Sequence, residues 1–320
     1  MSKYLIVGAG RSGIAAAKML CSLGESFVIF DGNENLDIKA VSEKIKEGEA
    51  FEFILGTLSE SQLDGIDVCV VSPGVPLDTE VMKTVAAKGL EVWSEIELAY
   101  RYDKGTVLAL TGTNGKTTTT SLVYDIVKAY TEKTLLVGNI EIPYTGLCLE
   151  SSEDSFTVAE ISSFQLETMI TFRPKVSAIL NITPDHLDRH KTMENYIDIK
   201  KSIAKNQDEN EYCVLNYEDE VLRAYGKELK CKPVYFSSKT ELSEGVYYKD
   251  GEIILSESGM KTLVVRTDEI NLVGLHNFEN VAAAAAVTYY AGIPLDVIRE
   301  ATKKFVAVEH RIEFVREKDG

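Results

Sequence analysis

Apolar positions along the chain fall into short runs, each closed by a glycine-rich or polar break, and their order predicts an alternating α/β fold. Residues 4–7 form the first run, which stops at Gly8-Ala9-Gly10-Arg11-Ser12-Gly13 and gives way to a helical stretch through Leu23. A second run at 27–30 ends in Asp31. Strand, glycine turn, helix and a second strand tipped with an acid make the start of a Rossmann-type βαβ unit. A further buried strand at 67–71 runs into Ser72-Pro73-Gly74-Val75-Pro76. The two prolines stiffen a turn at a strand's C-terminal end, the edge where open α/β sheets bind ligands.

After the segment 93–102 the pattern restarts. A strand at 107–110 is broken by Thr111-Gly112-Thr113-Asn114-Gly115-Lys116-Thr117-Thr118 before a helix that reaches about Tyr130. Strands follow at 134–137, 156–159, 176–180 and 212–215, with a helical stretch at 192–206, and this alternation predicts a parallel sheet. Tyr247-Tyr248-Lys249-Asp250-Gly251-Glu252-Ile253 predicts a hairpin with an Asp-Gly turn, hence a small antiparallel patch. Helices at 277–291 and 295–305 close the unit. We therefore expect a Rossmann-like domain at 1–102 and a P-loop-type parallel-sheet domain at 103–305. The stretch 306–320 reads as a hinge plus the first strand, at 312–315, of a C-terminal domain that is essentially absent.

Composition narrows the function class. With 45% hydrophobic and 26% charged residues in 320, the chain reads as a globular enzyme of two or three domains. No apolar run is long enough to span a bilayer and the first strand is too short for a signal peptide, so we expect a cytoplasmic protein without membrane contact. Five scattered cysteines, none in a Cys-x-x-Cys pair, argue for reduced thiols rather than disulfides or a zinc site. A formal charge of -16 disfavours nucleic acid as a partner, so any anionic small ligand must be held locally, by helix N-termini, magnesium and a few placed cations.

The segment from Gly112 to Thr118 supplies that local hold. Its backbone N–H groups at a helix N-terminus, Lys116 for the β- and γ-phosphates and Thr117 as a hydroxyl ligand for magnesium make a phosphate cradle. Leu110 stands where the general P-loop spacing has a glycine. The first glycine loop, taken alone, also fits a nicotinamide or flavin cofactor, and the second, taken alone, a nucleotide sensor.

The motifs Gly112-Thr113-Asn114-Gly115-Lys116-Thr117, Gly138-Asn139-Ile140, Glu160-Ile161-Ser162-Ser163-Phe164-Gln165-Leu166-Glu167, Asn181-Ile182-Thr183-Pro184-Asp185-His186-Leu187-Asp188, His276-Asn277 with Asn280, and His310-Arg311 together resemble the Mur ligases in sequence and order. The amino-terminal glycine loop, Ser72-Pro73-Gly74 and Ser94-Glu95-Ile96-Glu97-Leu98 look most like the D-glutamate-adding branch. The resemblance implies ATP-dependent addition of D-glutamate to UDP-N-acetylmuramoyl-L-alanine through an acyl phosphate in peptidoglycan synthesis, by a monomer that uses ATP and two Mg2+ ions. Another Mur-type amino-acid ligase, a folylpolyglutamate synthase or, further off, an NAD-dependent oxidoreductase is the alternative. A chain lacking most of its third domain is expected to bind substrate without completing ligation.

The same resemblance implies residue roles. Lys116, Glu160, His186 and Lys200 would be catalytic, with Thr117, Glu160, His186 and a carbamylated Lys200 holding magnesium. ATP would meet Gly112, Thr113, Asn114, Gly115, Lys116, Thr117, Thr118, Asn277, Asn280 and Arg311. The uridine nucleotide would meet Gly10, Arg11, Ser12, Asp31, Gly32, Ser72, Pro73, Gly74 and Asn139, although Gly32 stands where a hydroxyl residue is often found. Read from the residues alone, Glu160 also suits a turn cap, Asn277 an N-cap, and Lys200 a solvated helix charge. His186 and His190 stand i,i+4 as in a transition-metal pair, but no further soft ligand accompanies them. We expect His190 at the surface without a task, and Lys201 as a plain surface charge.

Overall fold

The computed structural model describes residues 2–306. Arg311 and the strand expected at 312–315 lie outside them.

The apolar runs become strands as the pattern predicts. In chain order, β1 (Lys3–Val7), α1 (Arg11–Leu23), β2 (Ser26–Asp31), α2 (Ile38–Ile45), β3 (Glu52–Leu55), β4 (Val68–Val71), α3 (Glu80–Ala87), β5 (Glu91–Ser94) and α4 (Glu95–Tyr100) build the first unit. Its five strands are all parallel in the order β3-β2-β1-β4-β5. The order reverses between β1 and β4, so the glycine loop after β1 and the proline turn after β4 face one another across a topological switch point. The loop is tight because α1 starts directly on it: a Cβ on Gly13 would lie 1.9 Å from the Gly8 carbonyl oxygen, a contact that backbone cannot yield to.

The second unit runs β6 (Thr106–Thr111), α5 (Lys116–Tyr130), β7 (Thr134–Gly138), β8 (Phe156–Glu160), α6 (Ser163–Leu166), β9 (Val176–Ile179), α7 (Leu187–His190), α8 (Met193–Lys201), β10 (Tyr212–Asn216), α9 (Glu220–Tyr225), β11 (Lys232–Ser237), β12 (Gly245–Lys249), β13 (Glu252–Glu257), β14 (Met260–Arg266), α10 (Leu275–Tyr290) and α11 (Leu295–Lys304). One nine-stranded sheet results, ordered β14-β13-β12-β11-β10-β9-β6-β8-β7. It is parallel up to β12, and β12, β13 and β14 pair antiparallel as the expected patch. Asp250 and Gly251 join β12 to β13 with φ of 49° and 84°, the two left-handed positions a two-residue hairpin turn requires.

One buried apolar cluster runs from Ile6 and Ile29 on the first sheet to Ala159 and Ile179 on the second, while the opposite face of each sheet packs a cluster of its own. In the second unit the run Ala282 to Ala286 on α10 is fully or almost fully buried, since small side chains let a helix lie close on its neighbours. Among the described residues, no helix is long and apolar enough to cross a membrane.

Two helix details differ from expectation. The helix expected at 277–291 starts earlier, with Gly274 as its N-cap at φ 96°, so Asn277 sits inside the first turn and is not the cap. The stretch expected to be helical through Asn206 leaves α-geometry after Lys201 and continues as a short 3-10 turn at Ser202–Ala204.

Candidate active site at the strand ends of the second sheet

The loop between β6 and α5 is held open by its surroundings. Asn181, just past β9, accepts the Thr113 and Asn114 N–H groups on Oδ1 at 3.1 and 2.8 Å and returns Nδ2 to the Asn114 carbonyl at 3.1 Å. Thr113 Oγ1 lies 3.1 Å from both the Thr183 carbonyl and the Tyr196 hydroxyl. Gly115 caps α5 at φ 81°, so the positive end of the helix begins directly on this loop, where an anion is favoured. Lys116 folds back over this loop, donating to the Gly112 and Thr113 carbonyls at 2.9 and 2.7 Å.

Lys200 enters from α8. It is 2% exposed, and its ammonium donates to the Gly112 carbonyl at 2.9 Å and stands 4.8 Å from the Tyr196 ring. The solvated-charge reading of Lys200 is therefore wrong for this fold. Burial, reinforced by the nearby charge of Lys116, pushes its amine down to about 7. Lys201, the next residue, keeps the bland role: it pairs at 3.7 Å with the exposed Glu228. Gly112, Lys116, Asn139, Ser162, Phe164, Asp185, His186, Tyr196 and Lys200 enclose a cavity of about 130 Å3.

Glu160 ends β8 next to this cavity. It is buried; Oε1 accepts from Asn139 Nδ2 at 2.9 Å, and Oε2 has no partner among the described residues. A buried carboxylate oxygen without a partner is costly unless a ligand completes it. The turn cap at this point is supplied by Ser162, which bonds Gln165, so Glu160 is not needed for capping. One carboxylate, a hydroxyl and phosphate oxygens suit magnesium, which binds few protein oxygens and keeps its waters. Among the described residues, no group of three His, Cys, Asp or Glu side chains able to hold a metal occurs.

His186 sits at φ 51° before α7, half exposed, its ring centre 4.9 Å from that of Phe164 and Nε2 3.4 Å from Asp185 Oδ2. His190 corrects the sequence reading. It is 1% exposed, not a surface residue; Nε2 lies 2.9 Å from Ser163 Oγ and the ring packs against Phe164 and Tyr196. Burial lowers its pKa below the ordinary imidazole value.

Asn277 and Asn280 are buried on α10. Asn277 Nδ2 donates to the Val273 carbonyl at 2.8 Å, while Asn280 Oδ1 accepts from Thr119 Oγ1 at 3.2 Å. Asn280 also backs the phosphate loop, because a Cβ on Gly115 would fall 2.4 Å from its Oδ1.

At the first sheet's switch point, Ser72 Oγ donates to the Gly8 carbonyl at 3.2 Å. Asp31 Oδ2 accepts the Ala9 N–H and Oδ1 the Asn33 N–H, both at 2.9 Å, so this carboxylate fixes the glycine loop. Gly10, Arg11, Gly32 and Gly74 are exposed beside it, with Ser12 and Pro73 half-buried. A depression of about 630 Å3 along the start of α1 is lined by Gly10, Arg11, Lys18, Lys44, Ile142 and Leu147, joining the two units.

Two buried or half-buried charged residues, Glu95 and Arg189, carry no role in the sequence motifs. Glu95 is buried at the start of α4, where Oε1 accepts the Thr145 N–H and hydroxyl at 2.5 and 2.8 Å and Oε2 finds no partner among the described residues. A carboxylate inside an otherwise apolar helical face was the one signal for it in the sequence.

Comparison with known proteins agrees with this layout. Residues 110–288 match the family model described as Mur ligase middle domain, and residues 2–94 match that of the Mur ligase MurD-like N-terminal domain. The chain is similar to the UDP-N-acetylmuramoylalanine--D-glutamate ligase of Lachnospira eligens, 53% identical over 317 residues that span 99% of this chain and 70% of the relative. The ligases of the same name from Lachnoclostridium phytofermentans and Clostridioides difficile are 46% and 42% identical, again over 99% of this chain and 70% of each relative. The solved UDP-N-acetylmuramate:L-alanyl-gamma-D-glutamyl-meso-diaminopimelate ligase from Neisseria meningitides superposes with a TM-score of 0.65 at 17% identity, covering 97% of this chain and 100% of that one. A murein peptide ligase from Psychrobacter arcticus gives 0.61 at 17% identity, covering 98% and 70%. At these identities the two structures bear on fold alone.

Proposed function

This chain belongs to the Mur ligase family, and we propose that it serves the branch's reaction, joining D-glutamate to UDP-N-acetylmuramoyl-L-alanine at the expense of ATP in peptidoglycan synthesis. In this reading residues 1–102 hold the uridine nucleotide, residues 103–305 hold ATP, and the protein works in the cytoplasm as a monomer. The observation that carries it is the cavity beside the phosphate loop, where Lys116 and a buried Lys200 both donate to the Gly112 carbonyl and where Asn139 bonds Glu160, whose second oxygen has no partner among the described residues.

A carboxylate does not react with an amine until one of its oxygens becomes a leaving group. In the reaction proposed, an alanyl carboxylate oxygen attacks the γ-phosphorus of ATP and the bond to ADP breaks. The D-glutamate amine then adds to the acyl carbon, and the tetrahedral intermediate expels phosphate as the amine gives up its proton. No protein nucleophile is required, so the work is positioning and charge neutralisation. The first amides of α5 face the phosphates, and Lys116 can exchange its two loop carbonyls for phosphate oxygens. Thr117 and Glu160 would hold one Mg2+, and His186 with Lys200 a second; bound there, the ions offset the charge on the phosphates.

Lys200 suits that role after conversion to a carbamate. Its neutral amine adds to CO2, forming an N–C bond and releasing a proton, and the product places an anion where an ammonium beside Lys116 is repelled. With the amine at about 7, a large fraction is neutral at physiological pH, against roughly one in a thousand for an ordinary lysine.

Calorimetric titration tests the reading, with UDP-N-acetylmuramoyl-L-alanine, UDP and NADH compared in one buffer. Saturable binding of the muramoyl nucleotide, tighter than UDP and with no response to NADH, is expected. NADH binding without muramoyl-nucleotide binding would overturn it.

A further inference from the structure

The short helix α7 carries a side chain that the chemistry above does not use. From it Arg189 reaches to the turn after β4, in the other sheet's unit: Nη1 donates to the Pro73 carbonyl at 2.7 Å and Nη2 to the Val75 carbonyl at 3.2 Å. A second edge of the same guanidinium grips Glu167, with Nε 3.2 Å from Oε1 and Nη2 2.6 Å from Oε2. Its centre lies 4.3 Å from that of the Phe164 ring, and Phe164 walls the cavity that holds Lys116 and Lys200. The ion pair is nearly dry, with side chains 12% and 10% exposed. Beside it lies the buried His190 ring, with Nδ1 3.4 Å from Glu167 Oε1.

An arginine is needed for this. Its planar fork offers donors along two edges at once, whereas a lysine ammonium is a point that serves one side or the other. The turn it grips is the one whose Ser72 hydroxyl bonds the glycine loop. One guanidinium therefore ties the switch point of the first sheet to the wall of the cavity on the second.

We propose that Arg189 is a positioning residue that fixes the 72–75 turn, and with it the uridine-nucleotide site, against the ATP-binding cavity. The proposal rests on the reading that the first unit binds the uridine nucleotide. A substrate spanning both units reacts only if its two ends are held in one geometry, and a dry, bidentate ion pair with two further carbonyl bonds is a stiff way to set it.

The test compares the unaltered chain with Arg189→Ala and Arg189→Lys, titrating UDP-N-acetylmuramoyl-L-alanine and, separately, a non-hydrolysable ATP analogue. Hydrogen exchange is followed on a peptide covering 72–78. We expect Arg189→Ala to weaken the uridine nucleotide on the order of thirtyfold and Arg189→Lys on the order of threefold, with the ATP analogue changed less than about twofold. The Val75 amide, which donates to the Ser72 carbonyl at 3.0 Å, should exchange on the order of tenfold faster in the alanine variant. Parallel weakening of both ligands, in Arg189→Lys as in Arg189→Ala, with a lowered melting temperature, would show a merely structural part and overturn the proposal. If the unaltered chain fails to bind the uridine nucleotide, the functional reading falls instead. The exchange rate then still decides whether Arg189 holds the turn, and an unchanged rate overturns that.

Discussion

Glu95 makes the stability of this chain depend on pH in a way that can be worked out from its surroundings. Burial pushes its carboxyl from 4.5 up to about 7, against the hydrogen bonds from Thr145 and the attraction of Arg11. The folded-state pKa is raised, so the group's contribution to stability is complete below the unfolded value and is lost as pH rises through the folded one. The gap between 4.5 and about 7 corresponds to about 3 kcal/mol. Roughly 2 kcal/mol of that falls between about pH 5.5 and about pH 8. Glu95→Gln keeps an oxygen acceptor for Thr145 and removes the ionisation. Urea unfolding of both proteins at the two pH values should therefore show the stability difference moving by about 2 kcal/mol in the variant's favour on going to the higher pH. The buried amide's extra N–H groups add a constant cost of about 1–3 kcal/mol, which cancels in that comparison. A difference that is the same at both pH values would refute the reasoning, because the carboxyl would then not titrate between folded and unfolded states in this interval.

Three further outcomes follow from the same geometry. Incubation with 13C-labelled bicarbonate should give a carbamate resonance that grows as pH rises through about 7, where the Lys200 amine loses its proton, and that Lys200→Ala lacks; a resonance unaffected by this substitution would remove the assignment. Gly115→Ala combines φ 81° with a Cβ 2.4 Å from Asn280 Oδ1, and a strained residue at such a site costs about 1–3 kcal/mol. It should lower the melting temperature and weaken ATP on the order of tenfold by calorimetry. Glu160→Gln keeps an acceptor for Asn139 but loses the anion, so magnesium-dependent binding of ATP should fall on the order of a hundredfold while the uridine nucleotide binds as before.

The parts of this molecule that were legible in its sequence are those whose geometry is decided within a few residues. Glycine at positive φ beside a strand end, an Asp-Gly pair between two apolar runs and a lysine at a helix start each carry their own local reason. Short pieces such as α2, β3 and α9 escaped because a strand of four residues or a helix of about two turns has too little periodicity to stand out. Asn277 was misjudged as a possible cap because the glycine that begins its helix stands three residues earlier.

Lys200 and Lys201 show where local and distant information meet. On a helix, residues four apart share a face and adjacent residues do not. Tyr196 and Lys200 therefore point the same way, and both reach the phosphate loop, the hydroxyl at Thr113 and the ammonium at Gly112. Lys201 turns toward Glu228. Spacing could separate the two lysines once the partner of Tyr196 was known, but nothing in the helix names that partner. The same spacing at His186 and His190 makes no metal pair, as the lack of a further soft ligand suggested: both meet Phe164, but Ser163 occupies Nε2 of the second and Glu167 stands opposite its Nδ1. Arg189 carries the point furthest, because its partners at Pro73 and Glu167 lie 116 and 22 residues away. A side chain that joins two sheets has no signature on its own helix, and its function becomes readable only when the turn it holds has been placed.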